Sequence, residues 1–182
     1  VSWGVELVDL DNDGLLDAAA AAGVAGPEPM PDALWQGVGP GAFEERSGQL
    51  SFDDPASHFG LVADDFDGDG YRDLVLGGRD GDARFYSNPC GEGAWVEIDL
   101  EGPPGNREGF GARVEVEAGG RIDVQELHAL RSVAQSDSVL HVGLGGAEVV
   151  ERLTVRWPDG AVTEAGGLGV RRRITAHHPD AP

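Results

Sequence analysis

The chain has 182 residues, 40 % of them hydrophobic, so it is long enough for one domain or two small ones and apolar enough to pack a core, which excludes a disordered acidic tail. Its 33 acidic residues face 13 basic ones, all arginine, for a formal charge of −20, and with no lysine to track a phosphate backbone nucleic acid is not an expected partner. No apolar run reaches the roughly 20 residues that span a bilayer, and a single cysteine, Cys90, excludes an internal disulfide and a Cys-based zinc site.

The chain opens at Val1 without an initiator Met or a charged-then-apolar leader, as a mature or internal fragment does. Residues 2–8, SWGVELV, alternate apolar residues after an aromatic-Gly pair and predict a strand. Residues 9–17, DLDNDGLLD, then predict a tight acidic turn, and a second strand follows. The alanines from Ala18 to Ala22 object to that strand, since Ala favours helices. A second copy decides the matter. It begins 56 residues later, with HFGLVA before DFDGDGYRD and Leu74-Val75-Leu76 where the alanines stand, and self-similarity at such a period marks a repeat architecture. Each copy reads as strand, acidic turn, strand, Gly-rich turn.

The crowding of like charges calls for a cation. Calcium takes six to eight oxygens in flexible geometry, and carboxylates on alternate residues of a tight loop can turn toward one point. In D-x-D-x-D-G-x-x-D, positions one, three, five and nine offer side-chain oxygens and position seven its carbonyl. Asp9, Asp11, Asp13, Leu15 and Asp17 make one candidate calcium site; Asp65, Asp67, Asp69, Tyr71 and Asp73 make the other. Position six is glycine in both, Gly14 and Gly70, as a sharp turn with positive φ requires. Magnesium, with its strict octahedron, and zinc, which lacks any His or Cys here, fit less well. A helix-loop-helix calcium hand needs an acid at position twelve, where this chain has Ala20 and Leu76. Asp80-Gly81-Asp82 lacks the further acids and reads as an ordinary turn.

Between the copies, residues 23–57 hold Pro27, Pro29, Pro31, Pro40 and Pro55, and the expectation is mostly loop, with short strands at 43–46 and 49–52 and Trp35 as a candidate exposed contact. The boundary between two domains is placed in residues 88–93, which gives 1–92 and 93–182. From Trp95 onward, WVEIDL, GARVEVEA, RIDVQELHA, VLHVGLG, ERLTVRW and RRRITAHH alternate with period two. Gly119-Gly120 suits a tight hairpin and Trp157-Pro158-Asp159-Gly160 a β-turn. Strands at this spacing without a helix predict an antiparallel sandwich or barrel, with Trp95 and Trp157 in or at the edge of its core.

These motifs are recognisable. The aromatic-Gly pair, the DxDxDGxxD loop and the strand after it resemble an FG-GAP (integrin-type, also called VCBS) blade of a β-propeller over about residues 1–88, and in that family the acidic loop is the calcium loop. NREGFGARVEVEAGGR, QSDSVLHVGLGG and VERLTVRWPDG, in that order, resemble the ASPIC/UnbV domain, which follows such propellers in bacterial surface proteins and in the cartilage acidic protein. Where a Gly-Tyr pair is expected in that domain, this chain has Arg131-Ser132-Val133-Ala134-Gln135. The resemblance implies an all-β chain, a partial propeller of about two blades followed by a sandwich, with a first blade truncated at Val1 and the remaining blades supplied by a longer protein or by another chain.

No Ser-His-Asp elbow, phosphate loop or dinucleotide fingerprint is present. His58, His128, His141, His177 and His178 are the available bases, His141 reads as a surface or second-face residue, and Arg171-Arg172-Arg173 as a solvated strand face. The reading is a non-catalytic protein with two calcium sites, secreted, at the cell surface or periplasmic, that mediates adhesion or assembly with a protein or glycan partner. Two alternatives stand beside it: a carbohydrate-binding accessory module, and part of an enzyme whose active site lies outside this chain.

Overall fold

A computed structural model of the chain describes residues 2–23, 30–78, 82–89, 91–128 and 138–182; Cys90, Asp80, Gly81 and residues 131–135 lie outside the described residues. Those described form fourteen strands and no helix, in two compact units. One unit takes the described residues of 2–10 and 15–89, the other those of 11–14, 91–128 and 138–182.

In the first unit, β1 (Ser2–Val8), β2 (Asp17–Ala22), β3 (Ala33–Gly39) and β4 (Ala42–Glu45) form an antiparallel sheet in chain order. A second, three-stranded sheet follows from β5 (His58–Asp64), β6 (Asp73–Gly78) and β7 (Arg84–Tyr86). The alanine run is a strand, as the second copy foretold. Ala19 and Ala21 are fully buried and pack with Leu34 and Phe52 against Leu61, Ala63, Leu74 and Leu76 of the second sheet. Small side chains let the sheets close. At Gly4 the approach is tightest, because a Cβ placed there would lie 2.8 Å from the Leu61 backbone N and 3.0 Å from its Cβ. The repeat is exact in register: Val5 pairs with Ala20 and Leu7 with Ala18, while Leu61 pairs with Leu76 and Ala63 with Leu74.

The Pro-rich segment is more ordered than its composition implied. Besides the anticipated β4, it holds β3, in which Trp35 is half-buried opposite Ala18 and Glu45. Residues 49–52 are a turn and not a strand: Phe52 N–H donates to Ser47 O at 2.8 Å, Ser51 has φ +57°, and the Phe52 ring enters the core at 1 % exposure.

In the second unit, β8 (Ala94–Glu101), β9 (Arg113–Ala118), β10 (Arg121–Glu126), β11 (Leu140–Gly145), β12 (Val149–Arg156), β13 (Val162–Gly169) and β14 (Arg172–His177) form two sheets, ordered β10-β9-β12-β13 and β11-β8-β14. Their inward residues make one core, including Val96, Ile98, Leu100, Val114, Val116, Leu140, Val142, Leu153, Val155 and Trp157. Gly119 and Gly120 both have positive φ at the β9–β10 hairpin, as a primed turn demands. Trp157 is 3 % exposed and Trp95 half-buried. One pairing departs from the expected antiparallel pattern, since β14 runs parallel to β8. One strand was not expected: β13, whose Glu164-Ala165-Gly166-Gly167 has weak strand propensity, pairs antiparallel along β12.

Candidate metal sites

Each acidic loop joins the first two strands of its sheet, residues 9–17 between β1 and β2 and residues 65–73 between β5 and β6. Gly14 and Gly70 have φ of +85° and +86°, so position six takes the left-handed turn that the sequence required. Position four does the same, with Asn12 at +58° and Gly68 at +81°. The sequence reading passed over that position. Its signal was the residue type, because Asn and Gly tolerate the left-handed region best.

The turns bring three carboxylates together in each loop. One oxygen each from Asp9, Asp11 and Asp17 lie within 4.8 Å of one another, and so do those of Asp65, Asp67 and Asp73. Asp13 and Asp69, the position-five acids, are not in these triplets. Leu15 is half-buried in its loop and Tyr71 buried in the other. Oxygens alone converge in both places, and a hard divalent cation fits that donor set better than a soft one.

The position-nine acids also hold the backbone. Asp17 accepts the Leu10 N–H on Oδ2 and the Gly37 N–H of β3 on Oδ1, both at 2.8 Å. Asp73 repeats this, accepting Phe66 N–H at 3.1 Å and Asn88 N–H at 2.7 Å. Asp65 accepts the N–H groups of Gly68, Asp69 and Gly70, so its carboxylate folds the second loop around itself. Burial pushes the Asp69 carboxyl above its ordinary range; the Tyr71 N–H opposes this, and the charges of Asp67, Asp65 and Asp73 add to the rise. Arg72, at position eight of the second loop, is buried and pairs with Asp64, where the first loop has Leu16. Asn88 joins the two loops by donating its side-chain amide to Leu10 O at 2.6 Å and Arg72 O at 3.1 Å.

The histidines form no catalytic group with a nucleophile among the described residues. His58 is fully buried with Nδ1 2.7 Å from Asp32 Oδ2. His178, 3 % exposed, packs edge-on to Trp157 and accepts the Asp180 N–H at Nδ1, with Nε2 3.0 Å from Asp159. His177 pairs with Glu101, and His128 faces Glu126 at 3.8 Å. His141 is half-buried and stacks beside Trp95, with centroids 6.3 Å apart. Arg171, Arg172 and Arg173 are exposed, and Arg173 is engaged by the buried Glu97 at 2.9 Å.

By fold and loop geometry the chain is an all-β protein in which a sheet repeat with acidic loops precedes a two-sheet domain. Family comparison names both parts: an FG-GAP-like repeat matches residues 9–76, and the ASPIC and UnbV domain matches residues 102–182. The chain is thus an FG-GAP-like repeat followed by an ASPIC/UnbV domain, in the order that its motifs foretold. No curated protein matches it. No helix among the described residues is long and apolar enough to cross a membrane.

Proposed function

We propose that this chain is a calcium-binding, non-catalytic, extracellular module that mediates adhesion or assembly with a protein or glycan at the cell surface. The observation that carries the reading is the recurrence of the same carboxylate triplet, Asp9-Asp11-Asp17 and Asp65-Asp67-Asp73, in repeat-related turns. A lone acidic turn would be a solvated surface feature. Two turns with the same spacing, the same left-handed positions and the same backbone anchoring favour a shared ligand.

Asp9, Asp11 and Asp17 would hold one ion and Asp65, Asp67 and Asp73 the other, each drawing on the remaining loop oxygens. The ion supplies positive charge that relieves repulsion among acids already held in place by backbone N–H groups. A ligand that binds the folded state alone stabilises it by about 2.7 kcal/mol at a free concentration a hundred times its Kd. That gain suits the outside of a cell, where calcium is abundant.

The test is a thermal melt of metal-stripped protein with and without millimolar calcium, repeated for Asp9→Ala and Asp67→Ala. For a chain of this length a gain of that size raises Tm by roughly 5 to 10 °C, and each substitution is expected to remove part of the rise. An identical melt with and without calcium in a folded protein refutes the reading.

A further inference from the structure

The strand motif HVGLGG, residues 141–146, has no part in the calcium reading so far, yet it grips the first acidic loop. Residues 11–14 belong to the second unit, and within that unit His141 and Gly145 of β11 and Arg121 of β10 reach Asn12, Asp13 and Gly14. His141 Nε2 lies 2.7 Å from Asn12 Oδ1. An amide oxygen only accepts, so the imidazole donates. Gly145 N–H donates to Asn12 O at 2.7 Å, and the Arg121 guanidinium donates to Asp13 O at 2.9 Å and to Gly14 O. Gly93 completes the seat, since a Cβ there would stand 2.7 Å from both Asp11 O and Asn12 Cβ.

The grip falls on the residue that most needs it. Asn12, at position four, holds a left-handed φ of +58°, where the second loop has Gly68 at +81°. Glycine takes that conformation without a Cβ penalty and asparagine does not. Asn12 is fully buried, whereas Gly68 is exposed and would meet nothing within 4 Å if it carried a Cβ. The donors are themselves held. The Trp95 ring stacks beside His141 with centroids 6.3 Å apart, and Gln125 Nε2 donates to His141 O at 2.7 Å. Asn12 stands between Asp11 and Asp13, so fixing its backbone fixes where those two carboxylates start. Ordering a loop before its ligand arrives removes part of the cost of binding.

We propose that His141, Gly145 and Arg121 are positioning residues for the first acidic loop, so that calcium at this loop, and not at the second, is coupled to the order of β10 and β11. This rests on the calcium reading above and gives the HVGLGG motif a role in it. Coupling of this kind is reciprocal: groups that favour the bound loop are in turn stabilised by the ion.

The test is calorimetric titration of the 182-residue chain with calcium in two backgrounds, Asp67→Ala to read the first loop and Asp11→Ala to read the second. In the Asp67→Ala background His141→Ala is expected to weaken binding about tenfold, and His141→Gln, whose amide can donate in place of the imidazole, to recover part of the loss. In the Asp11→Ala background both are expected to leave the affinity within about twofold. Arg121→Lys keeps the charge but loses the fork that holds two carbonyls, and is expected to weaken the first loop about threefold. Arg121 is exposed, so this variant keeps the test open should His141→Ala fail to fold. Amide exchange is the second readout: calcium is expected to slow the Gly145 N–H in Asp67→Ala and not in Asp11→Ala. First-loop affinity unchanged by His141→Ala and Arg121→Lys, equal weakening of both loops, or Gly145 exchange indifferent to calcium each overturn the proposal. A wild type that binds no calcium at either loop overturns the calcium reading itself, and that result is seen before any variant is made.

Discussion

Gly37 donates its backbone N–H to Asp17 Oδ1 at 2.8 Å, so the last acid of the first loop is also the bond that fastens β3 to the loop. Asp17 is 3 % exposed, and its other oxygen holds Leu10 N–H. Asp11, in contrast, is exposed and accepts the Asp13 N–H at 3.2 Å. Asp17→Ala is expected to destabilise the protein with or without calcium, by about 1–3 kcal/mol for each donor left buried without a partner. Asp11→Ala is expected to leave the metal-stripped melt within about 0.5 kcal/mol of wild type while reducing the gain from calcium. Chemical denaturation of both variants in chelator and in calcium checks this; equal losses in chelator would remove the distinction.

Asn88 is the joint between the loops, with its amide on Leu10 O and Arg72 O and its N–H on Asp73. Asn88→Ala removes the two side-chain bonds and is expected to cost about 1–2 kcal/mol. Because Leu10 belongs to one loop and Arg72 to the other, calcium affinity should fall at both sites. Calorimetric titration of the variant with calcium decides it: weakening of one site alone would show that the joint serves a single loop.

The two acidic loops were readable because everything that defines them is local. Four aspartates, a glycine and their spacing lie within nine residues, and the backbone needs only those residues to make the turn. β3 was not readable, since Pro31 and three glycines from Gly37 to Gly41 suggested loop; what makes it a strand is distant, the pairing of Leu34 with Ala19 and the hold of Asp17 on Gly37. β13 was hidden in the same way by Gly166-Gly167, and is fixed by β12. The direction of β14 followed from no local pattern, because period-two alternation is the same in parallel and antiparallel strands. The clustering of the carboxylates was visible, but the double duty of Asp17 and Asp73 as backbone anchors was not, because Gly37 and Asn88 are 20 and 15 residues away.

Gly4→Val tests the tightest approach between the sheets. The new side chain would collide with the Leu61 backbone N, which cannot move without displacing β5. Overpacking of this kind costs about 1–3 kcal/mol. Denaturant midpoints for Gly4→Val and Gly60→Val, taken at concentrations where both are monomeric, should differ by that amount, with Gly60→Val near wild type. Equal midpoints would mean that the sheets can spread at Gly4.

The buried pair of Asp32 and His58 gives a pH dependence with a definite sign. Asp32 is 1 % exposed, accepts the Ala22 N–H at 2.8 Å, and faces His58 Nδ1 at 2.7 Å. Burial raises its carboxyl above the ordinary 3.8, and the bond from Ala22 and the interaction with His58 only partly offset this. A raised folded-state value means that the folded chain keeps this proton over a window in which the unfolded chain has released it. Stability from Asp32 is therefore highest below the unfolded value and declines as pH rises through that window. Glu45, Asp54 and Asp159 are shifted downward, mainly by backbone or side-chain bonds they accept, and work in the opposite direction. Their effect is shared by wild type and Asp32→Asn, so the difference in unfolding free energy between the two isolates Asp32. That difference, measured from pH 3.5 upward at roughly half-unit steps, is expected to move against the wild type as pH rises and then level off. A difference that moves in favour of the wild type would show that the interaction with His58 outweighs burial, and that the pair is held as ions within the core.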